Sequence, residues 1–495
     1  MTRFTTSIIS SAVLAASLSI PQAQANSEYE AWLKQTQTEF QSYLDENDKA
    51  FLNFLNKKWE EVEVEKPKQR DPEPKPVVIP KAPIVKKEPV KKDPLKRPVI
   101  KEQPKPVVIK PVVIEKPKPQ PKPVINKPIA SKPNERSARF EFFGSDVKVN
   151  YDRKFKQDFY GKIDNKAIAE FWKKLASQPH KNIVEQLSNK AKELKLNDWG
   201  TALLFDQFAR EVQSNANARQ LTTWFLLVKA GFNARVAYNN QVFLLIPSEQ
   251  QLFGVTYFTL GGERYYAVSL NEKSMKPGKV FTYSGSHNDG QRDLDFSQPN
   301  QFVPNKNIAK RDLSFNYKGK EYKVSVDYPK DMVNYFNTFP QLELSNYFAA
   351  GMPSDTAYDL LKQLKPVVEG QSEEEAVNRL LRFVQTAFEY KTDDDQFRQE
   401  NYLFPLETIH YPYSDCEDRA ALFAWLVKSL LKLDVAILDF PGHIATAVAF
   451  NQSVSGDKWK FNGKVYTVAD PTYINANAGM TMPQYRGKTP KLASF

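Results

Sequence analysis

The sequence predicts an α+β protein with two related domains in tandem, joined by a β-rich module and preceded by a helix and a disordered proline- and lysine-rich spacer. Three observations support this. A chain of 495 residues is too long for one ordinary core. A helical stretch followed by short strand-like runs occurs twice, at an offset of about 200 residues. Residues 65–133 contain 18 of the 34 prolines, a density that prevents a helix or a sheet.

Residues 1–25 have the pattern of a signal peptide. Met1–Arg3 is a short basic start, Ile8 to Ile20 is apolar, and Ala23-Gln24-Ala25 is a small-x-small cleavage site. The apolar run is short for a membrane span, and no later run reaches the roughly 20 residues that a span needs. We therefore expect export without a transmembrane segment, to the periplasm of a Gram-negative cell or, as a second choice, to the medium.

Residues 26–64 are predicted to form one amphipathic helix. Aromatic and other residues follow spacings of three and four from Tyr29 through Phe40, Phe51 and Phe54 to Lys58. The aromatic stripe predicts that the helix packs back on the main body or self-associates as a coiled coil. The alternative is that it binds a cell-envelope partner or a membrane surface.

Residues 65–134 are predicted to be a semi-rigid polyproline II spacer. Residues 65–133 carry 19 Lys/Arg and 7 Asp/Glu, a net charge of +12. The whole chain has a net charge of +11, so the rest of the chain is close to neutral. Because the excess charge lies in this segment, a folded nucleic-acid-binding groove is not expected. The unit Lys75-Pro76-Val77-Val78-Ile79 recurs at 105–109 and 110–114. In composition the segment resembles the proline- and lysine-rich arms that cross the periplasm, and its lysines are solvated or bind anionic envelope polymers.

Three further divisions follow from the pattern of the remaining chain. Residues 135–275 form the first domain, residues 276–350 form the β-rich linking module, and residues 351–495 form the second domain. The linking module is inferred from Gly/Asn/Pro punctuation and from β runs such as Glu321 to Tyr328.

The single cysteine of the chain, Cys416, lies at a predicted helix start. Ser414 followed by Glu417 is a capping-box pattern, which would put Cys416 at the second helical position. Free backbone N–H groups and the positive end of the helix dipole there favour the thiolate. Glu417 and Asp418 oppose this effect, so activation requires a cationic partner such as a histidine. The Cys416 N–H is also a candidate oxyanion donor.

Two predicted strands after this helix supply the partners. His443 opens the run Ile444 to Phe450, and Asp470 ends the run that begins at Gly463. If these runs form an antiparallel hairpin with Phe450 opposite Gly463, His443 lies opposite Asp470. Cys416 can then face His443 while Asp470 orients the ring, which predicts a nucleophile, base and orienting carboxylate.

Residues 380–475 resemble the transglutaminase-like superfamily. The motifs that carry the resemblance are Pro405-Leu406-Glu407-Thr408-Ile409, Ser414-Asp415-Cys416-Glu417-Asp418-Arg419-Ala420, Gly442-His443 and Val468-Ala469-Asp470-Pro471-Thr472. The family's catalytic Cys, His and Asp fall on Cys416, His443 and Asp470. The resemblance implies a papain-like fold, thiol acyl transfer or amide hydrolysis, and no cofactor. It also implies an oxyanion donor before the cysteine, for which Tyr411 and Tyr413 are candidates. No metal-ligand cluster is expected from the sequence.

The first domain is predicted to be a degenerate copy of the second. Ser214–Arg219 runs parallel to Ser414–Arg419, and Gly262–Ser269 runs parallel to Gly463–Asp470. Ala216 then stands at the cysteine position, Ser269 at the aspartate position, and the histidine position falls near Gln241. A copy without these side chains is expected to bind substrate or a partner.

The sequence therefore predicts an exported cysteine-nucleophile amide hydrolase or peptidase that acts on an envelope protein or peptide. Water resolves the thioester in this hypothesis. If an amine does so, the protein is a crosslinking transglutaminase. The alternative from a different class is a non-catalytic periplasmic scaffold with a vestigial triad.

Overall fold

The computed structural model describes residues 46–70, 75–84, 107–110, 112–117, 134–270, 277–302, 304 and 307–495. These residues form a mixed α and β structure, which confirms the predicted secondary-structure class. The predicted signal peptide, the first part of the predicted N-terminal helix and much of the predicted spacer lie outside the described residues.

The first unit, residues 134–302, begins with a β-hairpin, continues with four helices and ends in a sheet. Helix starts are set by side chains that accept backbone N–H groups, such as Asn215 Oδ1 from Ala218 N at 2.9 Å. Its elements are β2 Glu135–Phe142, β3 Ser145–Asp152, α2 Asn165–Ala176, α3 Lys181–Glu193, α4 Asp198–Val212, α5 Ala216–Lys229, β4 Arg235–Tyr238, β5 Val242–Ile246, β6 Tyr257–Leu260, β7 Glu263–Ala267 and β8 Val280–Thr282.

The second unit, residues 307–495, has a similar order. Its most buried helix, α12, carries apolar side chains on nearly all sides and packs on α9 and β14. Its elements are β9 Ile308–Tyr317, β10 Lys320–Pro329, α6 Lys330–Phe336, α7 Leu344–Ala350, α8 Ser354–Val368, α9 Glu373–Ala387, β11 Glu389–Tyr390, α10 Asp393–Phe397, α11 Pro405–His410, β12 Tyr413–Ser414, α12 Cys416–Leu431, β13 Asp434–Phe440, β14 His443–Ala449, β15 Lys458–Phe461, β16 Lys464–Ala469 and β17 Lys491–Ala493.

The sheets of the two units have the same strand order. In the first unit the order is β6-β7-β5-β4-β8, extended by β1 (Glu60–Val62), and in the second unit it is β15-β16-β14-β13-β17. All neighbouring strands in both sheets are antiparallel. Each unit also begins with a two-stranded hairpin that packs on helices of the same unit. The units therefore share one topology.

This topology changes the boundaries drawn from sequence. Residues 276–350 were predicted to be a β-rich linking module, but they contain β8, which belongs to the first sheet, and the hairpin β9–β10, which packs on α8 and α9. The same stretch also contains helices α6 and α7. The prediction of a separate module is wrong, because its strands complete the units on either side of it.

The predicted helix over 26–64 is also corrected. Helix α1 is described from residue 46 and ends at residue 55, and β1 follows and pairs with β8. A turn at residues 56 and 57 ends the helical spacing, and Trp59 leads directly into β1. The described part of α1 packs back on the body, since Phe51 is buried against Trp172.

The described parts of the predicted spacer are not a free arm. Glu65 N donates to Tyr257 O at 2.9 Å, and Ala82 N donates to Ile474 O at 2.8 Å. Ile109 N donates to Gln371 O at 2.9 Å. Prolines remove some amide donors but leave those of the intervening residues, and these pair with the folded body.

Among the residues that the structure describes, no helix combines the length and apolar character needed to cross a membrane.

Candidate functional site

The start of helix α12 places Cys416 between the sheet and the preceding loop. Cys416 is the first helical residue, and Asp415 is the N-cap. Asp418 Oδ2 accepts from Asp415 N at 3.2 Å, which closes the helix start. The predicted cap at Ser414 is wrong by one residue, because Ser414 is held in β12, which pairs with β11.

Arg419 connects this helix start to α9. The side chain is fully buried and its Nη2 donates to Phe388 O at 2.9 Å, just beyond the end of α9. Its Nε donates to Ser414 Oγ at 3.1 Å. Arg419 therefore ties β12, the strand just before Cys416, to the end of α9, and it acts as a positioning residue.

The structure brings His443 and Asp470 together. His443 Nε2 lies 2.9 Å from Asp470 Oδ2, and both side chains are buried. The other carboxylate oxygen, Oδ1, accepts from Thr472 N at 2.9 Å and from Tyr473 N at 3.2 Å. With three partners the carboxylate has a defined orientation, and it holds the imidazole with Nε2 as the donor.

The predicted strand register is wrong, although the predicted pair forms. Ala469 lies opposite Thr446, whereas the prediction puts it opposite Ile444. Residues 451–462 were expected to be a loop, but they contain β15, so the connection from β14 to β16 is not a simple hairpin. Side chains alternate with a period of two, so a shift of two residues keeps Asp470 on the face of His443.

Gln385, on α9, was not singled out by sequence and supports the segment after Asp470. Its Nε2 donates to Asp470 O and to Ala476 O, both at 3.0 Å, and its Oε1 accepts from Asn475 N at 3.1 Å. The glutamine is buried and all of these contacts are distant in sequence. No local pattern links it to the site.

The thiol of Cys416 is not hydrogen-bonded to His443. It donates to Glu417 Oε2 at 3.1 Å. The backbone N–H of Ile444, the residue after His443, acts to lower the pKa of the thiol. His443 Nδ1 is buried and has no hydrogen-bond partner among the described residues. The ring nitrogen that a general base would use is therefore free among the described residues, at the start of the strand that packs on α12.

The environment of Cys416 opposes the thiolate. Burial, followed by the charges of Glu417 and Asp415, raises the pKa of the Cys416 thiol well above its usual range, and the charge of Lys75 acts in the opposite direction. The predicted activation by the helix start is outweighed here, because the thiol is fully buried beside two carboxyl groups.

Tyr390 is a second residue that sequence reasoning missed. Burial and then the charge of Cys416 raise the pKa of the Tyr390 phenol. Its OH donates to the main-chain oxygen of Pro76 at 2.7 Å. Of the two predicted oxyanion candidates, Tyr411 donates to Asn337 Oδ1 at 3.0 Å, and Tyr413 has no described hydrogen bond to Cys416. Tyr390 pairs with Ser414, two residues before Cys416, and its phenol feels the charge of Cys416, so it is the better candidate for that role.

Carboxyl groups from three loops and helix starts converge beside Cys416. Asp393, Asp415 and Asp418 have oxygens within 4.8 Å of one another, as do Asp393, Glu400 and Glu417. The sequence did not reveal this cluster, because its members lie up to 25 residues apart, 393 to 418. Carboxylates in this number can hold a metal ion, but Lys75 places its ammonium group among them.

The corresponding region of the first unit lacks this chemistry. Ala216 is the first residue of α5, as Cys416 is of α12, and Val242, directly after Gln241, opens β5 as His443 opens β14. The geometry is thus repeated with alanine in place of the thiol and valine in place of the imidazole.

In comparisons with protein-family models, with curated proteins and with solved structures, the chain has no significant match.

Proposed function

We propose that the protein is a cysteine-nucleophile amide hydrolase or peptidase of the transglutaminase-like type, with Cys416 as nucleophile, His443 as base and Asp470 as the orienting carboxylate. One observation carries the proposal. Asp470 holds His443 Nε2 at 2.9 Å and leaves Nδ1 without a described partner, at the start of β14, the strand that packs on the helix beginning at Cys416.

The reaction proceeds in two halves. His443 Nδ1 takes the Cys416 proton, and the thiolate attacks an amide carbonyl carbon. The hydroxyl of Tyr390 donates to the oxyanion, and His443 returns the proton to the departing nitrogen as the C–N bond breaks. Water then gives a proton to His443 and attacks the thioester. The acid product leaves and the thiol is restored.

The described arrangement is the resting state of this cycle. The thiol donates to Glu417, so a rotation of the Cys416 side chain toward Nδ1 must precede attack. Burial and the charge of Glu417 disfavour an isolated Cys416 thiolate. Deprotonation therefore requires the positive charge of the protonated His443 ring to stabilise the thiolate.

We further propose that the protein acts on an envelope protein or peptide after export, which rests on the predicted signal peptide 1–25. The first unit is proposed to be a degenerate transglutaminase-like copy that binds substrate or a partner. The matching strand orders of the two sheets support a duplication, and Ala216 at the nucleophile position supports the loss of its chemistry.

The second candidate function is a non-catalytic scaffold. It is favoured by the complete burial of Cys416 and by the raised pKa of its thiol. The two candidates differ in whether His443 accelerates the chemistry of the thiol.

A peptidyl chloromethyl ketone tests the proposal by adding to Cys416, with the adduct followed by intact mass. We expect an adduct on the wild-type protein, none on Cys416→Ala, and a rate lower by about 100-fold on His443→Gln. The matched control is His410→Gln, which removes another imidazole of the second unit and should leave the rate unchanged. Equal rates for wild type and His443→Gln would support the scaffold. Isopeptide-linked products from mixed envelope peptides would indicate crosslinking.

A further inference from the structure

We propose that the carboxyl cluster beside Cys416 is a recognition subsite for the lysine side chain of an extended peptide with the pattern Lys-Pro followed by branched apolar residues. In this chain the subsite is occupied by Lys75, and residues 75–84, the docked segment, act as a bound peptide in cis. As a statement about substrate class the proposal rests on the proposed function, whereas peptide binding itself does not require catalysis.

The ammonium group of Lys75 is the first observation. Its Nζ lies 2.7 Å from Asp415 Oδ2, 2.9 Å from Glu400 Oε1 and 3.3 Å from Asp393 Oδ2, and it also donates to Glu417 Oε1. Four carboxyl groups around one ammonium group exceed what an incidental surface ion pair provides.

The pocket is formed by the body and not by the docked segment. Asp393, Asp415 and Glu417 are buried, and Glu400 is at the rim with its side chain 37 % exposed. Asp415 Oδ1 has no hydrogen-bond partner within the described part of the chain, although its residue is fully buried. Buried acidic groups are costly unless a cation or a proton neutralises them, so the pocket is suited to a cationic group.

The rest of the docked segment is held as a peptide ligand would be. Pro76 O accepts from Tyr390 OH, the group assigned here to the oxyanion, so a main-chain carbonyl lies where a substrate carbonyl would bind. Ile79 and Ala82 are buried in a cluster with Phe440 and Tyr485, the aromatic rings that flank His443.

Main-chain pairing extends the same contact. Lys81 forms a parallel β-bridge with Ile474, and Ala82 N donates to Ile474 O at 2.8 Å. Val77 and Val78 are exposed at a bend, and the paired stretch follows it. An extended backbone with pockets for selected side chains is the arrangement of β-strand addition.

The sequence of the docked segment is repeated in the same chain. Residues 105–109 and 110–114 also read Lys-Pro-Val-Val-Ile. Ile109, the last residue of the copy at 105–109, is buried, and its backbone N–H donates to Gln371 O. The chain therefore carries further segments of the chemistry that the subsite holds.

The test uses the full chain with Cys416→Ala, so that binding is measured without turnover. Lys75→Met empties the subsite, and Lys81→Met is the matched control, because Lys81 is an exposed lysine of the same segment. The probe is a fluorescein-labelled peptide of residues 75–82, followed by fluorescence anisotropy. Ile79→Ser is a second variant that should release the docked segment, because it weakens the apolar contact while keeping the Lys75 ammonium group. Lys75→Met and Ile79→Ser are called the opened variants.

We expect the probe to bind the Lys75→Met variant at least about tenfold more tightly than the Lys81→Met variant, in which the cis segment competes. A probe with Met at its first lysine should bind about tenfold or more weakly, since it lacks the charge-assisted hydrogen bonds. A probe with Met at its second lysine should bind like the original.

Two results would overturn the proposal. One is equal affinity of the opened variants for the original probe and for the probe with Met at its first position. The other is an absence of saturable binding to Lys75→Met and Ile79→Ser proteins that keep the wild-type circular dichroism. Displacement of the probe by millimolar Ca²⁺ or Mg²⁺, with tighter ion binding to Lys75→Met, would assign the cluster to a metal instead. Peptide binding with no chloromethyl ketone adduct on Cys416 in the parent chain would leave the subsite in place and reject the enzyme.

Discussion

At the residue scale, Tyr390 contributes a hydroxyl group to the site through a contact that no local motif encodes. It lies in β11, which pairs in parallel with β12, with Tyr390 opposite Ser414, two residues before Cys416. This pairing places Tyr390 beside the strand that leads into Cys416. The role assigned to it is donation to a developing oxyanion, which affects the transition state more than the bound substrate.

We expect Tyr390→Phe to lower kcat by roughly 100- to 1000-fold with little change in KM, as for the loss of one oxyanion donor. The measurement is steady-state hydrolysis of a peptide substrate identified by mass spectrometry. Tyr411→Phe is the control, since the Tyr411 hydroxyl donates to Asn337. A kcat for Tyr390→Phe equal to that of the control would remove Tyr390 from the mechanism.

Glu407, in the motif Pro405–Ile409, has a structural role in capping a helix and is not assigned a catalytic role. Its Oε2 accepts from Phe404 N at 2.9 Å, so it caps α11. Burial raises the pKa of Glu407 to about 8 from an ordinary value of 4.5. An acid whose pKa rises on folding binds more protons in the folded state, so the free energy of unfolding falls as pH rises from 4.5 to about 8.

We therefore expect Glu407→Gln to raise the free energy of unfolding at pH 7 by about 2 kcal/mol, since each pKa unit corresponds to about 1.4 kcal/mol and relaxation reduces the full effect. The glutamine oxygen can still accept from Phe404 N. Urea unfolding at pH 5, 6, 7 and 8 measures the effect, and Glu374→Gln on the exposed side of α9 is the control. A mutant curve parallel to that of the wild type would show that Glu407 does not titrate in this range.

At the scale of elements, helix α1 is part of the first unit. Phe51 is 2 % exposed, and its ring centre lies 4.8 Å from that of Trp172 and 5.0 Å from that of His287. Asp48 of the same helix accepts from Lys229 Nζ at 2.7 Å. Burial acts to raise the pKa of Asp48, but the hydrogen bond from His287 and the charge of Lys229 lower it to about 2.

The prediction for this element compares two phenylalanines. Phe51→Ala should lower the free energy of unfolding by about 3 to 5 kcal/mol, because it removes a buried ring and leaves a cavity. Phe54 is 37 % exposed, and Phe54→Ala should cost less than about 1 kcal/mol. Chemical denaturation of both variants measures the difference. Equal costs would mean that α1 does not stay docked in solution.

Strand pairing shows how far sequence patterns reach at this scale. The predicted runs 443–450 and 463–469 agree with β14 and β16 within one residue at each end. The register between β14 and β16 could not be predicted, because β15 pairs with β16 and changes the length of the connection. The alternation of side chains still brought His443 and Asp470 to one face, so the prediction of the pair survived the error.

At the scale of the whole molecule, residues 65–70 contact both units, and residues 75–84 lie on the second unit. Glu65 N pairs with Tyr257 O, and Lys68 O accepts from Gly254 N at 2.9 Å, both in the first unit. Arg70 then stacks on Tyr402 of the second unit, with its guanidinium carbon 3.3 Å from the ring centre. The docked segment follows and covers the candidate site.

Arg70→Ala should weaken the contact that residues 65–70 make with the second unit. We expect a loss of about 1 to 3 kcal/mol in the free energy of unfolding, the range for hydrogen bonds of a charged group, since Arg70 Nη2 also donates to Gln341 Oε1 and Leu342 O. Alkylation of Cys416 by iodoacetamide should become faster, because the docked segment loses its neighbouring contact. Lys68→Ala, which keeps the backbone bond, is the control. An unchanged alkylation rate would separate Arg70 from closure of the site.

The sequence by itself determined the elements around the candidate triad, the cysteine at a helix start, the histidine at a strand start and the aspartate at a strand end. These are local features, set by side-chain periodicity and by capping, and they are readable within about ten residues. The alternation of apolar helices and strands also determined the repeated order of the two units. The triad, its chemistry and the export route remain predictions.

Only the tertiary structure decided what surrounds those residues. Lys75 reaches Asp415 across 340 positions, Gln385 supports Asp470, and a parallel strand pair brings Tyr390 beside Ser414, two residues before Cys416. Such contacts depend on how separate elements pack, for which sequence spacing carries no signal. Burial beside carboxyl groups likewise reversed the expected effect of the helix start on Cys416, because desolvation of a charge can exceed the influence of a helix dipole.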